Sequence, residues 1–301
     1  MKKVWKIVLV IGILISMLFL LAGCGKNENT AKVDTDTDKF KIVSSFYPMY
    51  IIASNVTEGA NQIKLENMTE TNMGCIHDYT LTTTDLKKLE KANVFVENGL
   101  GLENFNDKVI QSYPNIKVIN TSDKINNVIK EDEQINGHIW MSIGNYIKQV
   151  QNVSDGLSLA NPENREKYVA NAKKYIEKLE ELKQKMRTEL TFPEDTYVVS
   201  FSEPFEYLAK EVGLQLISVH TGHEESTLSG ENLSSVINEV NNRNIKAIIV
   251  EKNESRKNAE LVAKETGAQI YEIDSAMTGT LNKDAYIGAM EDNLVTLKKL
   301  L

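Results

Sequence analysis

The chain has 301 residues, 42% hydrophobic and 25% charged, with 34 basic against 42 acidic side chains and a formal net charge of -8. A surface with that excess of acid disfavours nucleic acid as a partner, because phosphate binding needs concentrated positive charge. The length and apolar content are enough for one large or two ordinary domains with a core of their own.

In chain order, the first element is an export signal. "MKKVWK" is a basic opening, "IVLVIGILISMLFLLAG" an apolar run of about 17 residues, and small residues lead into Cys24. A spanning helix needs about 20 apolar residues, so an uncleaved anchor is the rival reading. "LAGC" at 21–24 resembles a bacterial lipoprotein box. It implies a signal peptide over 1–23, lipidation of Cys24, and a chain anchored on the extracytoplasmic side of the cell membrane. Removing 1–23 takes away Lys2, Lys3 and Lys6 and no acid, which leaves 31 basic against 42 acidic side chains, a net charge of -11. With Cys24 acylated, Cys75 has no disulfide partner, and the fold must rest on its core. Residues 24–39 are nearly devoid of apolar side chains and read as a flexible tether. The "DTDTD" within them lacks the glycine and distal glutamate of a calcium loop.

After the tether, short β-rich runs alternate with helical patterns. "FKIVSSF", "QIKLENM", "NVFVENG" and "IKVINTS" precede a long interruption, and "TYVVSF", "LQLISV", "IKAIIVEK" and "QIYEID" follow it. This pattern predicts an α/β fold of two lobes, 40–160 and 192–301, each a mostly parallel sheet flanked by helices. The interruption, 161–191, is the clearest helix in the chain. Asn161 is a candidate N-cap and Pro162 suits the first helical position. Tyr168, Ala172, Tyr175, Leu179, Leu182 and Met186 recur at spacings of four and three, giving one apolar stripe. That helix joins the lobes. A coiled-coil dimer is the rival, but the stripe lasts only about three heptads, so a monomer is expected.

Two of the four histidines fall at loop-to-helix junctions of the first lobe. His77 follows the strand "QIKLENM" and a polar loop, ahead of a helix beginning near Thr84 with "TLTTTD" as capping material. His138 opens "HIW" before another helical run. The carboxyl ends of strands are where open α/β sheets bind ligands, and neutral imidazole is a common ligand for first-row divalent metals. No "HExxH" or paired "CxxC" is present, so on spacing alone these are equally readable as ordinary loop histidines. "NGLGLEN" lacks the third glycine of a dinucleotide fingerprint and reads as a tight turn. Cys75, two residues from His77, reads as a small buried hydrophobe, and Trp140 as packing beside His138.

The stretch "GCIHDYTLTTTDLKKLEKANVFVENGLGLENF", with "GHIWMS" at 137–142, resembles the substrate-binding lipoproteins of zinc and manganese ABC transporters, the zinc-uptake type of solute-binding protein. The similarity runs on through "LSLANPENREKYVANAKKYIEKLEEL", "IKAIIVEKNESRKNAELVAKETGAQIYEID" and "AYIGAMEDNLVTLKKLL", and covers residues 40–301. It implies a non-enzymatic protein that holds one divalent ion, Zn2+ or Mn2+, in the cleft between lobes and delivers it to an ABC permease in the cytoplasmic membrane. It also implies His77 and His138 as first-lobe ligands and Asp274, in "YEIDSAMTG", as a second-lobe ligand. The remaining position departs from the family. Where a histidine or glutamate stands three residues before the Phe of "HxAFxYL", "SFSEPFEYL" has Ser202, and Glu203 beside it is the candidate substitute. His220 and His223 in "SVHTGHEEST" are further candidates.

Two imidazoles with two carboxylates suit zinc or manganese. The Irving–Williams order disfavours manganese, and zinc is placed slightly ahead of manganese, with iron third. Two other classes stay open: an exported metallohydrolase with a position free for water, and a family member that has lost its metal site and serves as a binding or adhesive surface.

Overall fold

The computed structural model describes residues 39–73, 76–77, 79–131, 134–219, 228–252 and 254–301. The segments expected to be the signal peptide (1–23) and the tether up to Asp38, with Cys24 between them, together with Cys75, Asp78, His220 and His223, lie outside them.

All eight β-rich runs contain strands. Phe40–Ser44 (β1), Ile63–Asn67 (β2), Val94–Glu97 (β3) and Lys117–Asn120 (β4) form a parallel sheet in the order β2-β1-β3-β4. A two-residue antiparallel hairpin, Lys130–Glu131 (β5) with Gln134–Ile135 (β6), follows. It is too short to leave a periodic signal. Tyr197–Ser200 (β7), Gln215–Ser218 (β8), Ala247–Glu251 (β9) and Gln269–Ile273 (β10) make a second parallel sheet, β10-β9-β7-β8. Read from β8, it repeats the 2-1-3-4 order of the first. The inner strands β3 and β9 are buried along their whole length, as their unbroken apolar runs require, whereas the edge strands β8 and β10 are partly exposed.

The helices follow the expected alternation: Tyr47–Val56 (α1), Thr83–Leu89 (α2), Asn106–Ser112 (α3), Ile143–Ala160 (α4), Arg165–Glu189 (α5), Phe205–Val212 (α6), Gly230–Asn242 (α7), Lys257–Thr266 (α8) and Ala285–Leu297 (α9). The fold is thus α/β, two parallel sheets flanked by helices. At its start the connecting helix differs from expectation. Pro162–Asn164 is a 3-10 turn and α5 begins at Arg165. The Asn161 side chain serves the turn by accepting from Asn164 Nδ2 (2.7 Å) and the Tyr168 hydroxyl (2.8 Å).

The apolar stripe of α5 is buried at all six positions, Tyr168 to Met186. It is consumed within the chain, against α4 and α1, so it is not available as the seam of a coiled coil. Each large side chain so buried stabilises the fold by about 1.5–3 kcal/mol. The main core runs unbroken from Ile42 and Phe95 of the first sheet through Leu157 and Leu179 to Val198, Ile249 and Ile273 of the second. A smaller cluster, with Val240 and Val262, seals the second sheet under α7 and α8.

Polar stitches join the halves of the chain. Trp140 Nε1 donates to Ser275 O (2.9 Å), Tyr286 OH to Trp140 O (2.7 Å) and Tyr47 OH to Thr280 O (2.6 Å). Trp140, read as packing for its loop, is fully buried and does more than pack.

Candidate metal centre

The first-lobe motif builds a scaffold before it builds a site. In "HDYTLTTTD", Thr82 caps α2 and forms a reciprocal capping box with Asp85. Asp85 Oδ2 also accepts from the Tyr79 hydroxyl at 2.6 Å. Burial and this bond push the Tyr79 phenol well above its usual value, and the hydrogen bonds from Tyr79 and Thr82 outweigh burial to hold the Asp85 carboxyl below its own. The Tyr and Asp of the motif therefore clasp the segment that follows His77. Asn104 Nδ2 in turn donates to the His77 carbonyl.

"NGLGLEN" does the same for His138. Gly99 (φ 85°), Leu100 (φ 58°) and Gly101 (φ 78°) make a left-handed turn after β3. A Cβ on Gly99 would lie 2.3 Å from the Asn120 side chain, so only glycine fits. The buried Glu103 carboxylate staples the turn, accepting from Ser45 Oγ (2.8 Å), Asn98 N (2.7 Å) and Gly99 N (3.0 Å). Asn98 Nδ2 then donates to Gly137 O at 3.0 Å, next to His138. The glycines serve a turn, as expected, and that turn supports the second histidine.

His77, His138 and Glu203 converge. One ligand atom from each lies within 4.8 Å of the other two. The two imidazole rings stand edge-on, with centroids 5.3 Å apart. Among the described residues His77 Nε2 is a buried nitrogen with no hydrogen-bond partner, a costly arrangement unless something else binds it. His138 is 3% exposed, and burial, reinforced by the neighbouring His77, holds its imidazole down to about 3. It is neutral at physiological pH, the form that can coordinate.

Asn136 fixes which nitrogen of His138 is free. Its Oδ1 accepts from His138 N (3.0 Å) and lies 2.9 Å from Nδ1. Nδ1 therefore carries the proton, and Nε2 keeps its lone pair. Asn136 Nδ2 donates to Glu206 Oε2 (2.9 Å) and to the Glu203 carbonyl (3.2 Å). One amide thus orients His138 and tethers the backbone of Glu203. Neither sequence periodicity nor the motif pointed to Asn136, whose only signal is a polar residue two positions before a motif histidine.

Ser202 and Glu203 follow β7 in a tight turn. Ser200 Oγ accepts from Ser202 N (3.1 Å) and donates to Ser202 O (3.0 Å). This pins the main chain of Ser202 and sends the next side chain, Glu203, to the histidines. Glu203 is the exposed member of the group and His138 the buried one.

Asp274 does not join the three. Its Oδ2 is 3.1 Å from Lys252 Nζ and its Oδ1 accepts from Ala276 N at 2.8 Å. Its backbone is locked to Asn293 by two bonds of 2.8 Å. It borders a cavity of about 350 Å³ shared with Arg256 and Asp292. Of the cations around that cavity, the Lys252 ammonium is the one that pairs with this carboxylate. The next residue, Ser275, bonds the Trp140 indole, which packs 5.2 Å from the His138 ring.

The chain matches the family described as "Zinc-uptake complex component A periplasmic" over residues 42–300. It is 26% identical to the high-affinity zinc uptake system protein ZnuA of Bacillus subtilis, over all of this chain and 99% of that protein. It is 27% identical to the manganese-binding lipoprotein MntA of Halalkalibacterium halodurans, over 94% of this chain and 95% of the other. Among solved structures, the Zn(II)-bound ZnuA-like domain of Streptococcus pneumoniae AdcA superposes with a TM-score of 0.74 at 26% identity, covering 87% of this chain and 98% of that domain. The chain belongs to the zinc-uptake component A family, whose members are metal-binding solute-binding proteins of ABC transporters and not enzymes.

Proposed function

We propose that this chain captures one divalent transition metal ion with His77, His138 and Glu203, recruits Asp274 as the fourth ligand, and passes the ion to an ABC permease from a lipid anchor at Cys24. Zinc is the preferred cargo and manganese the second. The observation that carries the reading is the meeting of two imidazoles and a carboxylate within 4.8 Å, with a buried, unpartnered nitrogen on His77. A tetrahedral ion with bonds of about 2.0–2.1 Å separates its ligand atoms by about 3.4 Å. Capture therefore draws the three inward, Glu203 from the exposed side and the imidazoles from the buried one.

Choice of metal follows from the donor set. Two neutral imidazoles and two carboxylates accept either ion, and the Irving–Williams order then favours zinc over manganese. The test is to strip the protein with chelator and titrate each ion by calorimetry and melting temperature. The expected result is one ion per chain, with tighter binding and a larger melting rise for zinc; an ion held at 100 times its Kd adds about 2.7 kcal/mol. If neither ion binds saturably, the site is lost and the fold serves another role.

Lys252 is the expected competitor for Asp274. In the metal-free protein it holds the carboxylate that the ion requires, so binding exchanges one cation for another. Exposed pairs of this kind contribute about 0.2–1 kcal/mol. Lys252→Ala is accordingly expected to tighten zinc binding about two- to fivefold in a chelator competition assay. Unchanged or weaker binding would remove Asp274 from the ligand set.

A further inference from the structure

A second site lies away from the metal ligands. α4, α5 and α6 enclose a cavity of about 400 Å³ lined by Lys148, Lys183, Arg187 and Lys210, with Glu211 as the acid in its wall and Asn145 among its lining residues. Four cations in one concavity are unexpected in a chain of net charge -8. Clefts of one sign focus the field and gather counter-ions.

The charges are only partly answered. Glu211 accepts from Gly144 N at 3.2 Å and so occupies the N-terminus of α4; burial raises its carboxyl above the usual range, against the hydrogen bonds from Ser142 and Gly144 and the charge of Lys183. Gly144 has room for this, since the Lys183 ammonium would come within 3.4 Å of any Cβ there. Lys183 pairs with Glu180 at 3.8 Å. Lys148 reaches only a neutral group, Asn127 Oδ1, at 3.4 Å. Among the described residues, neither Arg187 nor Lys210 makes an ion pair. Arg187 lies one turn from Lys183 on α5, so both project to the same side.

The second observation is Asn145. It is 0% exposed, and neither its Oδ1 nor its Nδ2 has a hydrogen-bond partner. A buried amide left open on both atoms costs stability unless a guest completes it. An anion bringing acceptor oxygens satisfies Nδ2, and its own hydroxyl satisfies Oδ1. A guest with several acceptor oxygens, a hydroxyl of its own on phosphorus or on an attached glycerol, and one or two negative charges is a phosphate or a phosphate ester.

We propose that this cavity binds a phosphate oxyanion, with Arg187, Lys210 and Lys148 supplying the charge and Asn145 the neutral contact. The oxyanion can be free phosphate or the phosphodiester of a lipid headgroup. Inorganic phosphate and glycerophosphoglycerol, the soluble headgroup of phosphatidylglycerol, distinguish the two. Each is titrated into the purified protein against potassium chloride of matched ionic strength, following melting temperature and calorimetric heat. The expected result is a saturable melting rise with one or both probes. In Arg187→Gln/Lys210→Gln the affinity for that probe is expected to fall at least tenfold, and in Arg187→Gln alone by several fold. Lys185→Gln, an exposed cation of α5 that does not line the cavity, should change nothing. Phosphate alone acting identifies a free anion, and the diester alone acting identifies a headgroup. No saturable rise with either probe, or an equal rise in the double variant, overturns the proposal. Zinc titration of the same variants reads the metal site separately and is expected to be unchanged.

Discussion

His138→Ala is expected to lower zinc affinity by more than a hundredfold, the largest effect of any single substitution in the proposed metal site. The loss has two parts. The imidazole is a direct donor, and it is held ready: buried, neutral and in one tautomer through Asn136. An outer-shell partner of a ligating histidine is typically worth 10- to 100-fold in affinity, and a direct ligand should exceed that. Asn136→Ala is expected to fall within the outer-shell range, since it releases both the imidazole and the Glu203 backbone. Glu203→Ala should lie between the two, because an exposed carboxylate is replaced in part by water. Competition with a chromophoric chelator measures all three. Circular dichroism and the metal-free melting temperature show whether the fold survives. If His138→Ala binds zinc within tenfold of the parent, the convergence of the two imidazoles has another purpose.

The second large effect concerns stability against pH. Glu97 ends β3, is 4% exposed, and leaves its Oε2 without a partner. Burial, with repulsion from Glu103 and Asp123, pushes its carboxyl up to about 8. In the folded chain it stays protonated through neutral pH, whereas in the unfolded chain it ionises near its ordinary value of 4.5. Between these points the unfolded state has fewer bound protons, so stability falls as pH rises, at about 1.4 kcal/mol per pH unit for one such group. Burial also raises Glu251 and Glu103, and they act in the same direction. Asp85 and Glu66, whose carboxyls are lowered by hydrogen bonds and by Lys41, oppose this in acid below their ordinary range, and His138, whose imidazole burial holds down from 6.5 to about 3, opposes it between those two values. The metal-free protein is therefore expected to lose stability most steeply between about pH 6.5 and pH 8, where His138 no longer offsets the buried carboxyls. Glu97→Gln should remove about 1.4 kcal/mol per pH unit from that slope. Urea unfolding at pH 5, 6, 7 and 8 tests it, and parallel profiles for parent and variant would show that Glu97 is already ionised in the fold.

Much of the architecture was legible because local patterns decide it. The eight long strands contain alternating or unbroken apolar runs, and the α5 stripe follows helical spacing from Tyr168 to Met186. Thr82 and Asp85 announce the start of α2 by their own chemistry. Strand order was not legible, because it depends on how crossovers pack and not on any one segment. The site divides along the same line. His77 and His138 stand out through the motifs around them, and Glu203 through its offset from the family position. Asn136 and Lys252 were invisible because their roles exist only across space: the first bonds residues 67 and 70 positions away, and the second a carboxylate 22 positions on. The early start expected for α5 failed because a proline at a helix entrance fits a 3-10 turn as readily as an α turn.

The turn between β7 and α6 bears on how such proteins diverge. If Glu203 ligates as proposed, with Ser202 pinned beside it, the group reaching the histidines changes by a one-residue shift in a connection, with the strand before it and the helix after it intact. Selectivity is then an inherited trait that drifts separately from the fold: descendants sharing one core can come to prefer different ions through small edits at loop ends. Relatives named for zinc and for manganese stand at nearly the same identity to this chain, 26% and 27%.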